Sequence, residues 1–223
     1  MLYPIGIQNF EKIREGGYVY VDKTDLIHQI VRTGGYYFLS RPRRFGKSLL
    51  VSTMEAYFQG KKELFKGLAI EKLEKDWTEY PVLHLDLSGV TYTDENVLNE
   101  KMESTLRQWE KLYGLANDFK TDSVRFYNII DAAYEKTGKP VIILIDEYDK
   151  PLLDSAGNQA LREAYRSRLQ GFYSVMKSQD GKIRFGFLTG VTKFGKLSIF
   201  SGLNNLEDIS LSRTYADLCG ISE

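Results

Sequence analysis

One cysteine in 223 residues, Cys219, means that no internal disulfide can form, which suits a reducing compartment and makes the cytoplasm the expected location. Net charge is missing too. Thirty Lys and Arg balance thirty Asp and Glu, so there is no positive excess to hold a polyanion by counterion release, and nothing in the composition supports nucleic-acid binding. No apolar run approaches the roughly 20 residues that span a bilayer; the longest candidate is 141–145. The start, Met-Leu-Tyr-Pro-Ile-Gly, has neither a basic n-region nor a secretory apolar stretch. The two histidines, His28 and His84, lie far apart with no cysteine or paired carboxylate at ligand spacing, which argues against a zinc site. Repeats, low-complexity tracts and linker-like stretches are absent, so 1–223 reads as a single domain.

What is present is an ordinary globular balance, 43% hydrophobic and 27% charged residues, in a chain long enough for one well-cored domain. The apolar pattern alternates between two periods. Residues 36–40, 82–87 and 183–188 read as strands, and 141–145, uninterrupted and rich in β-branched residues, reads as a strand covered on both faces. A last short strand is expected around 209–211. Helical stripes run through Leu50, Met54 and Tyr57 or Phe58, stopped at Gly60; through Met102, Leu106, Trp109 and Leu112 or Tyr113; through Phe126, Ile130 and Tyr134, stopped at Gly138; and through Leu161, Tyr165, Leu169, Phe172 and Met176. Strands alternating with helices predict a mostly parallel sheet in a three-layer α/β domain.

The tightest functional constraint is Ser40-Arg41-Pro42-Arg43-Arg44-Phe45-Gly46-Lys47-Ser48-Leu49-Leu50. A phosphate-binding loop has Gly, four residues, then Gly-Lys-Ser/Thr: backbone N–H groups wrap the phosphates, the lysine neutralises them and the hydroxyl holds magnesium. Gly46, Lys47 and Ser48 match, while Arg41 replaces the first glycine. Context strengthens the match, because a strand precedes the loop and a helix follows it, which would put an anion at a helix N-terminus. Pro42 pushes Arg41 toward extended geometry, so the strand is expected to run one residue further. Arg43 and Arg44 either add charge beside the phosphates or are solvated surface. Residues 43–49, Arg43 to Leu49 with Phe45 among them, are the candidate nucleotide contacts, for ATP.

Downstream, the apolar run at 141–145 ends in Asp146-Glu147. Such a strand aims carboxylates at the sheet edge where ligands bind in this class: Asp146 to hold magnesium with Ser48, Glu147 to polarise the attacking water. At the end of the strand from 183 stand Thr189 and Thr192; Thr189 is the first candidate for a bond to the γ-phosphate or attacking water, Thr192 the second, and a plain strand-ending turn accounts for both equally well. Lys193 is either a charge near the phosphates or exposed. Asp86 fits a turn better than the nucleotide, Asp149 and Lys150 either shape the site or pair together, and Arg162, Arg166 and Arg168 include a candidate arginine finger or are solvated.

Tyr20-Val21-Asp22-Lys23-Thr24, the Arg-Pro-Arg-Arg-Phe-Gly-Lys-Ser loop, Ile145-Asp146-Glu147-Tyr148-Asp149-Lys150-Pro151, Leu188-Thr189-Gly190-Val191-Thr192 and Phe200-Ser201-Gly202-Leu203-Asn204-Asn205-Leu206 occur in that order. Together they resemble the AAA-ATPase-like family of bacterial and archaeal P-loop proteins, in which Arg41 is part of the family's own wording. The resemblance implies a P-loop ATPase with strand order 5-1-4-3-2, the acidic strand beside the loop-bearing strand or one strand away. It implies ATP and magnesium as cofactors, with Lys47, Glu147 and Thr189 catalytic and Ser48 and Asp146 on the metal. It also implies a C-terminal domain resembling PD-(D/E)xK nucleases as partner, with oligomerisation left open. The chain stops just after Tyr215-Ala216-Asp217-Leu218-Cys219-Gly220, where the family's next helix begins. Ser222 suits a helix N-cap, so a chain cut before a further region is expected. A nucleotide-sensing module without significant hydrolysis is the alternative reading. Asp22-Lys23-Thr24 is expected to cap a helix, with direct nucleotide contact the lesser use.

Overall fold

The computed structural model describes residues 2–116, 119–193, 199–200, 203 and 205–220. Two short helices come first, α1 (Phe10–Glu15), capped by the Asn9 side chain accepting from the Lys12 N–H at 2.8 Å, and α2 (Thr24–Thr33). β1 (Gly35–Ser40) leads through 41–46 into α3 (Lys47–Phe58). Then follow α4 (Ala69–Leu73), β2 (Val82–Asp86), α5 (Glu95–Tyr113), α6 (Asp122–Thr137), β3 (Val141–Asp146), α7 (Lys150–Asp154), α8 (Gln159–Ser178), β4 (Ile183–Gly190) and β5 (Leu206–Asp208). Each apolar stripe falls on a helix, but two positions differ. Leu112 and Tyr134 are exposed, and the buried faces use Leu98 in α5 and Ile129 and Ala133 in α6.

All strand pairs are parallel, in the order β2-β3-β4-β1-β5, which is 5-1-4-3-2 read from the other edge. The acidic strand β3 therefore lies one strand away from β1. The last strand forms at Leu206–Asp208, earlier than the expected 209–211. The reason is local: the Asp208 carboxylate accepts the Ser210 N–H at 3.0 Å and turns the chain, leaving Leu211 87% exposed. Ile209 remains buried and still donates its N–H to Phe38 O.

Burial of β3 on both faces follows from its sequence. Val141, Ile143 and Ile145 face one core with α5, α6 and α8, while Ile142 and Leu144 face the other with α2 and α3. A register shift opposite Val141 and Ile142 skips Arg184, so that Phe185 and Phe187 join Ile142 and Leu144 on the α2/α3 face. Outside α3 a small satellite core of Phe10, Phe65 and Ile70 holds α1 and α4.

Between α5 and α6 lies a buried ion network. Arg125, 3% exposed, meets Glu110 in a two-pronged pair at 2.6 and 2.8 Å and also donates to Glu103. The Glu110 bonds hold the guanidinium in its charged form, and Arg125 in turn pulls the Glu103 carboxyl below its ordinary value. Arg125→Ala would strand the buried Glu110 carboxylate, and removing one partner of such a pair costs about 3–5 kcal/mol. Urea unfolding is expected to read a loss of that size, against under about 1 kcal/mol for alanine at the exposed Arg107.

Candidate functional site

β1 is buried through Tyr36–Leu39 and delivers the 41–46 loop to the C-terminal edge of the sheet. The Arg41 N–H donates to Gly190 O at 3.1 Å, carrying the ladder one residue past β1, as the proline at 42 requires. Its guanidinium turns away from the loop to Ser40 O and Ser210 O, while the Ser210 hydroxyl accepts the Ser40 N–H at 2.8 Å. Arg41 is thus a fastener between β1 and the exit of β5. Two left-handed residues, Arg44 at φ 67° and Gly46 at φ 81°, turn the chain into α3. A side chain at Gly46 would touch nothing within 4 Å, so glycine is there for its backbone conformation.

Lys47 opens α3 and is only 4% exposed. Its ammonium donates to Arg41 O at 3.0 Å and Pro42 O at 3.1 Å, spanning the loop from beneath. Ser48 and Leu49 are half-buried on the first turn, Phe45 is 44% exposed, and Arg43 and Arg44 are exposed. The loop thereby sets the unpaired N–H groups of a 12-residue helix at the sheet edge, a site suited to an anion.

At the exit of β3, Asp146 is buried and its Oδ1 accepts the Thr189 hydroxyl; Oδ2 has no hydrogen bond among the described residues. Thr189, fully buried, also accepts the Glu147 N–H at 3.2 Å, and its carbonyl accepts the Tyr148 N–H at 3.0 Å. Glu147 sits at φ 55°, a strained value for a non-glycine residue. Burial, then the neighbouring Asp146 charge, push its carboxyl above the ordinary range, while Lys47 is near enough to draw it partly back. Loop and acidic pair therefore occupy one edge, joined through the end of β4.

Other sequence candidates find plainer partners. Thr192 donates its hydroxyl to Asp149 at 2.8 Å, Lys150 pairs with Asp154 at 2.6 Å, and Lys193 pairs with Asp208 at 3.1 Å, so Asp149 and Lys150 do not pair together. Asp86 accepts the Ser88 N–H in a turn. Arg166 meets Glu163 and Arg168 meets Asp122, leaving Arg162 of the three without an ion pair among the described residues. His28 pairs with Glu74 and His84 with Glu55, and no group of three metal-ligating side chains occurs among the described residues. Asp22 accepts from Thr24 at the start of α2 and from the Ala69 N–H, binding α2 to α4 rather than reaching the loop. In the Phe200–Leu206 wording, Ser201, Gly202 and Asn204 lie outside the described residues, as does Ser222 with its expected N-cap.

A feature that the sequence reading missed is a cavity of about 410 Å³ beside the loop. Pro4, Ile7, Val19, Phe45, Leu50 and Leu218 give it a mainly apolar wall, with Lys23 among its polar residues. Its wall segments are tied together by the Gly220 N–H on Phe45 O at 2.9 Å and by Lys23 on Asp217 O. Its residues come from three distant segments, so no local pattern marks it. At the end of β4, Gly190 is closely packed: an added Cβ would collide with the Tyr148 ring and stand 2.9 Å from Asp149 Oδ1.

A parallel 5-1-4-3-2 sheet with a glycine-lysine-serine turn after β1 and an acidic pair after β3 defines the phosphate-binding-loop class of α/β proteins. The chain belongs to the AAA-ATPase-like family, described as predicted AAA-ATPases, whose model matches residues 4–200. It is also 44% identical over 222 residues to an uncharacterized protein in the vnfD 5′ region of Azotobacter chroococcum mcd 1. That alignment covers 99% of this chain and 43% of the relative, so the chain spans less than half of the relative's length. No helix among the described residues is long and apolar enough to cross a membrane.

Gly190→Ala is expected to lower stability by about 1–3 kcal/mol, the usual cost of overpacking a filled site. Urea denaturation checks this, with Gly157→Ala, where a Cβ meets nothing within 4 Å, as the unaffected comparison.

Proposed function

We infer that the chain binds ATP with magnesium at the α3 N-terminus and hydrolyses its γ-phosphate. The observation that carries this is the meeting, at one sheet edge, of the Lys47 loop and the Asp146–Glu147 pair, tied together by Thr189 and Gly190. In this reading the backbone N–H groups of 45–49 take the phosphates, and Lys47 exchanges the Arg41 and Pro42 carbonyls for phosphate oxygens. The apolar cavity against Phe45 receives the adenine ring, and Arg43 and Arg44 add charge at the rim.

Magnesium fits the donors available. Ser48 Oγ and Asp146 Oδ2 are hard oxygens without hydrogen bonds among the described residues, and magnesium takes few protein ligands beside phosphate and water oxygens. When bound, it would neutralise charge on the β- and γ-phosphates. Glu147 accepts a proton from water as the water attacks the γ-phosphorus, and the bond to the bridging oxygen breaks to give ADP and phosphate. Thr189 serves this end of the site through its bonds to Asp146 and to the Glu147 amide. The relative's extra length leaves room for the nuclease-like partner that the resemblance implies, and control of such a partner by nucleotide is part of the same proposal.

Binding is measured first. Ligand at a hundred times its Kd adds about 2.7 kcal/mol, roughly 5–10 °C in the melting temperature of a domain this size. Lys47→Ala is expected to abolish that rise, and an unchanged rise would remove the loop from the reading. Glu147→Gln is expected to keep the rise and to lower phosphate release about a hundredfold or more. Binding without release by the unaltered protein would leave the sensing module.

Glu147 gives a pH test with no ligand present. A carboxyl with a folded pKa above its unfolded value binds more protons when folded, so it destabilises the protein at neutral pH, and stability recovers as pH falls through the folded pKa. Glu147→Gln is therefore expected to raise stability at pH 7, with the gain shrinking on acidification and gone below the ordinary carboxylate range. Urea midpoints of both proteins across pH 4–8 read it.

A further inference from the structure

The acidic segment carries a second buried carboxylate, and the reading above gives it no task. Asp149 is 1% exposed, and all its hydrogen-bond partners among the described residues lie in the turn after β4. Its Oδ2 accepts the Val191 N–H at 3.0 Å, the Thr192 N–H at 2.7 Å and the Thr192 hydroxyl at 2.8 Å, and Oδ1 faces the Val191 N–H at 3.2 Å. Among the described residues its partners are backbone and hydroxyl donors, an arrangement of directional bonds.

The turn it grips connects everything else at the site. Gly190 O accepts the Arg41 N–H and Val191 O accepts the Ser40 hydroxyl at 3.0 Å, which fixes the root of the phosphate loop. Thr189, one residue earlier, holds Asp146 and the Glu147 amide. Tyr148 closes the clamp from above: its hydroxyl donates to Thr192 O at 2.9 Å, and its ring lies where a Gly190 side chain would stand. One four-residue stretch, Asp146-Glu147-Tyr148-Asp149, thus supplies the carboxylates facing the loop and the grip that sets their distance from it.

We propose that Asp149 is a positioning residue: by clamping the Val191–Thr192 turn it holds Thr189 and Glu147 in register with the Lys47 loop, so that occupancy of the loop is felt at the catalytic carboxylate. This rests on the ATPase reading for its rate consequence, but the mechanical claim is separable. Unclamped, the turn keeps the loop and the acidic strand folded yet lets them shift independently. Displacements of about 1 Å at such a site cost on the order of a hundredfold in rate.

The experiment compares the unaltered protein with Asp149→Asn, which keeps one accepting oxygen and replaces the other with an NH2 group that cannot accept, and with Thr192→Val, which removes the hydroxyl contact alone and keeps the carboxylate. Three quantities are read: Kd for a non-hydrolysable ATP analogue with magnesium, phosphate release, and amide hydrogen exchange over 43–49 and 189–192 with and without the analogue. Asp149→Asn is expected to bind within about threefold of the unaltered protein and to release phosphate ten- to a hundredfold more slowly. Its 189–192 amides should lose the protection that the analogue confers, while 43–49 keep theirs. Thr192→Val should show the same pattern, reduced, and it carries the test if Asp149→Asn does not fold. Unchanged protection over 189–192 in a folded variant overturns the proposal, as does a loss of binding equal to the loss of turnover, which would mark Asp149 as a mere stabiliser. If the unaltered protein binds the analogue but releases no phosphate, the ATPase reading falls and the exchange pattern alone decides the clamp. If it binds nothing, both fall.

Discussion

The site depends on β4 lying between β1 and β3. Two strand spacings, about 9–10 Å, separate the strand that carries the loop from the strand that carries the carboxylates. Lys47 and Glu147 feel each other's charge across that gap without bonding. The end of β4 with the residue after it reaches both sides, taking Arg41 and Ser40 with Gly190 and Val191, and Asp146, Glu147 and Tyr148 with Thr189. The register of β4 is in turn fixed by bulky packing: the skip at Arg184 puts Phe185 and Phe187 against α3, and the flat face of Gly186 accommodates Tyr36.

The segment 146–149 brings three buried or half-buried carboxylates to this edge, and each is handled differently. Asp149 is satisfied by amides and a hydroxyl, and Asp146 by the Thr189 hydroxyl on one oxygen. The Glu147 carboxylate has neither remedy among the described residues. Burial and a like charge work against its ionised form, and its backbone is held at a strained φ. The raised pKa of Glu147 therefore has a structural origin in burial and the adjacent Asp146 charge.

Much of this was legible in the sequence because the signals were local. An uninterrupted β-branched run reads as a strand covered on both faces, and 141–145 is one. Gly46-Lys47-Ser48 between a strand and a helix fixed the place of the loop, and glycines at 60 and 138 marked where α3 and α6 stop. The roles of Asp149 and Thr192 were not readable, since their bonds join residues more than forty positions apart. The cavity was hidden for the same reason, its wall being assembled from 3–27, 44–50 and 218–220. The last strand was misplaced because Ile209 is as buried as a strand residue; it is the Asp208 turn, a side-chain effect, that ends the ladder.

Arg41 and Lys47 show how a loop without its first glycine can still offer a ready anion seat. Glycine at that position would let the backbone turn at once; here the chain instead continues extended for one residue, bonded to Gly190, and the arginine side chain is consumed in fastening β1 to the β5 exit. The turn is made later, by Arg44 and Gly46. That delay leaves the Arg41 and Pro42 carbonyls accepting from the buried Lys47 ammonium. A buried cation normally carries a large desolvation cost. In this loop two backbone carbonyls offset part of that cost, and in the proposed ATP site an incoming phosphate would take their place on the ammonium.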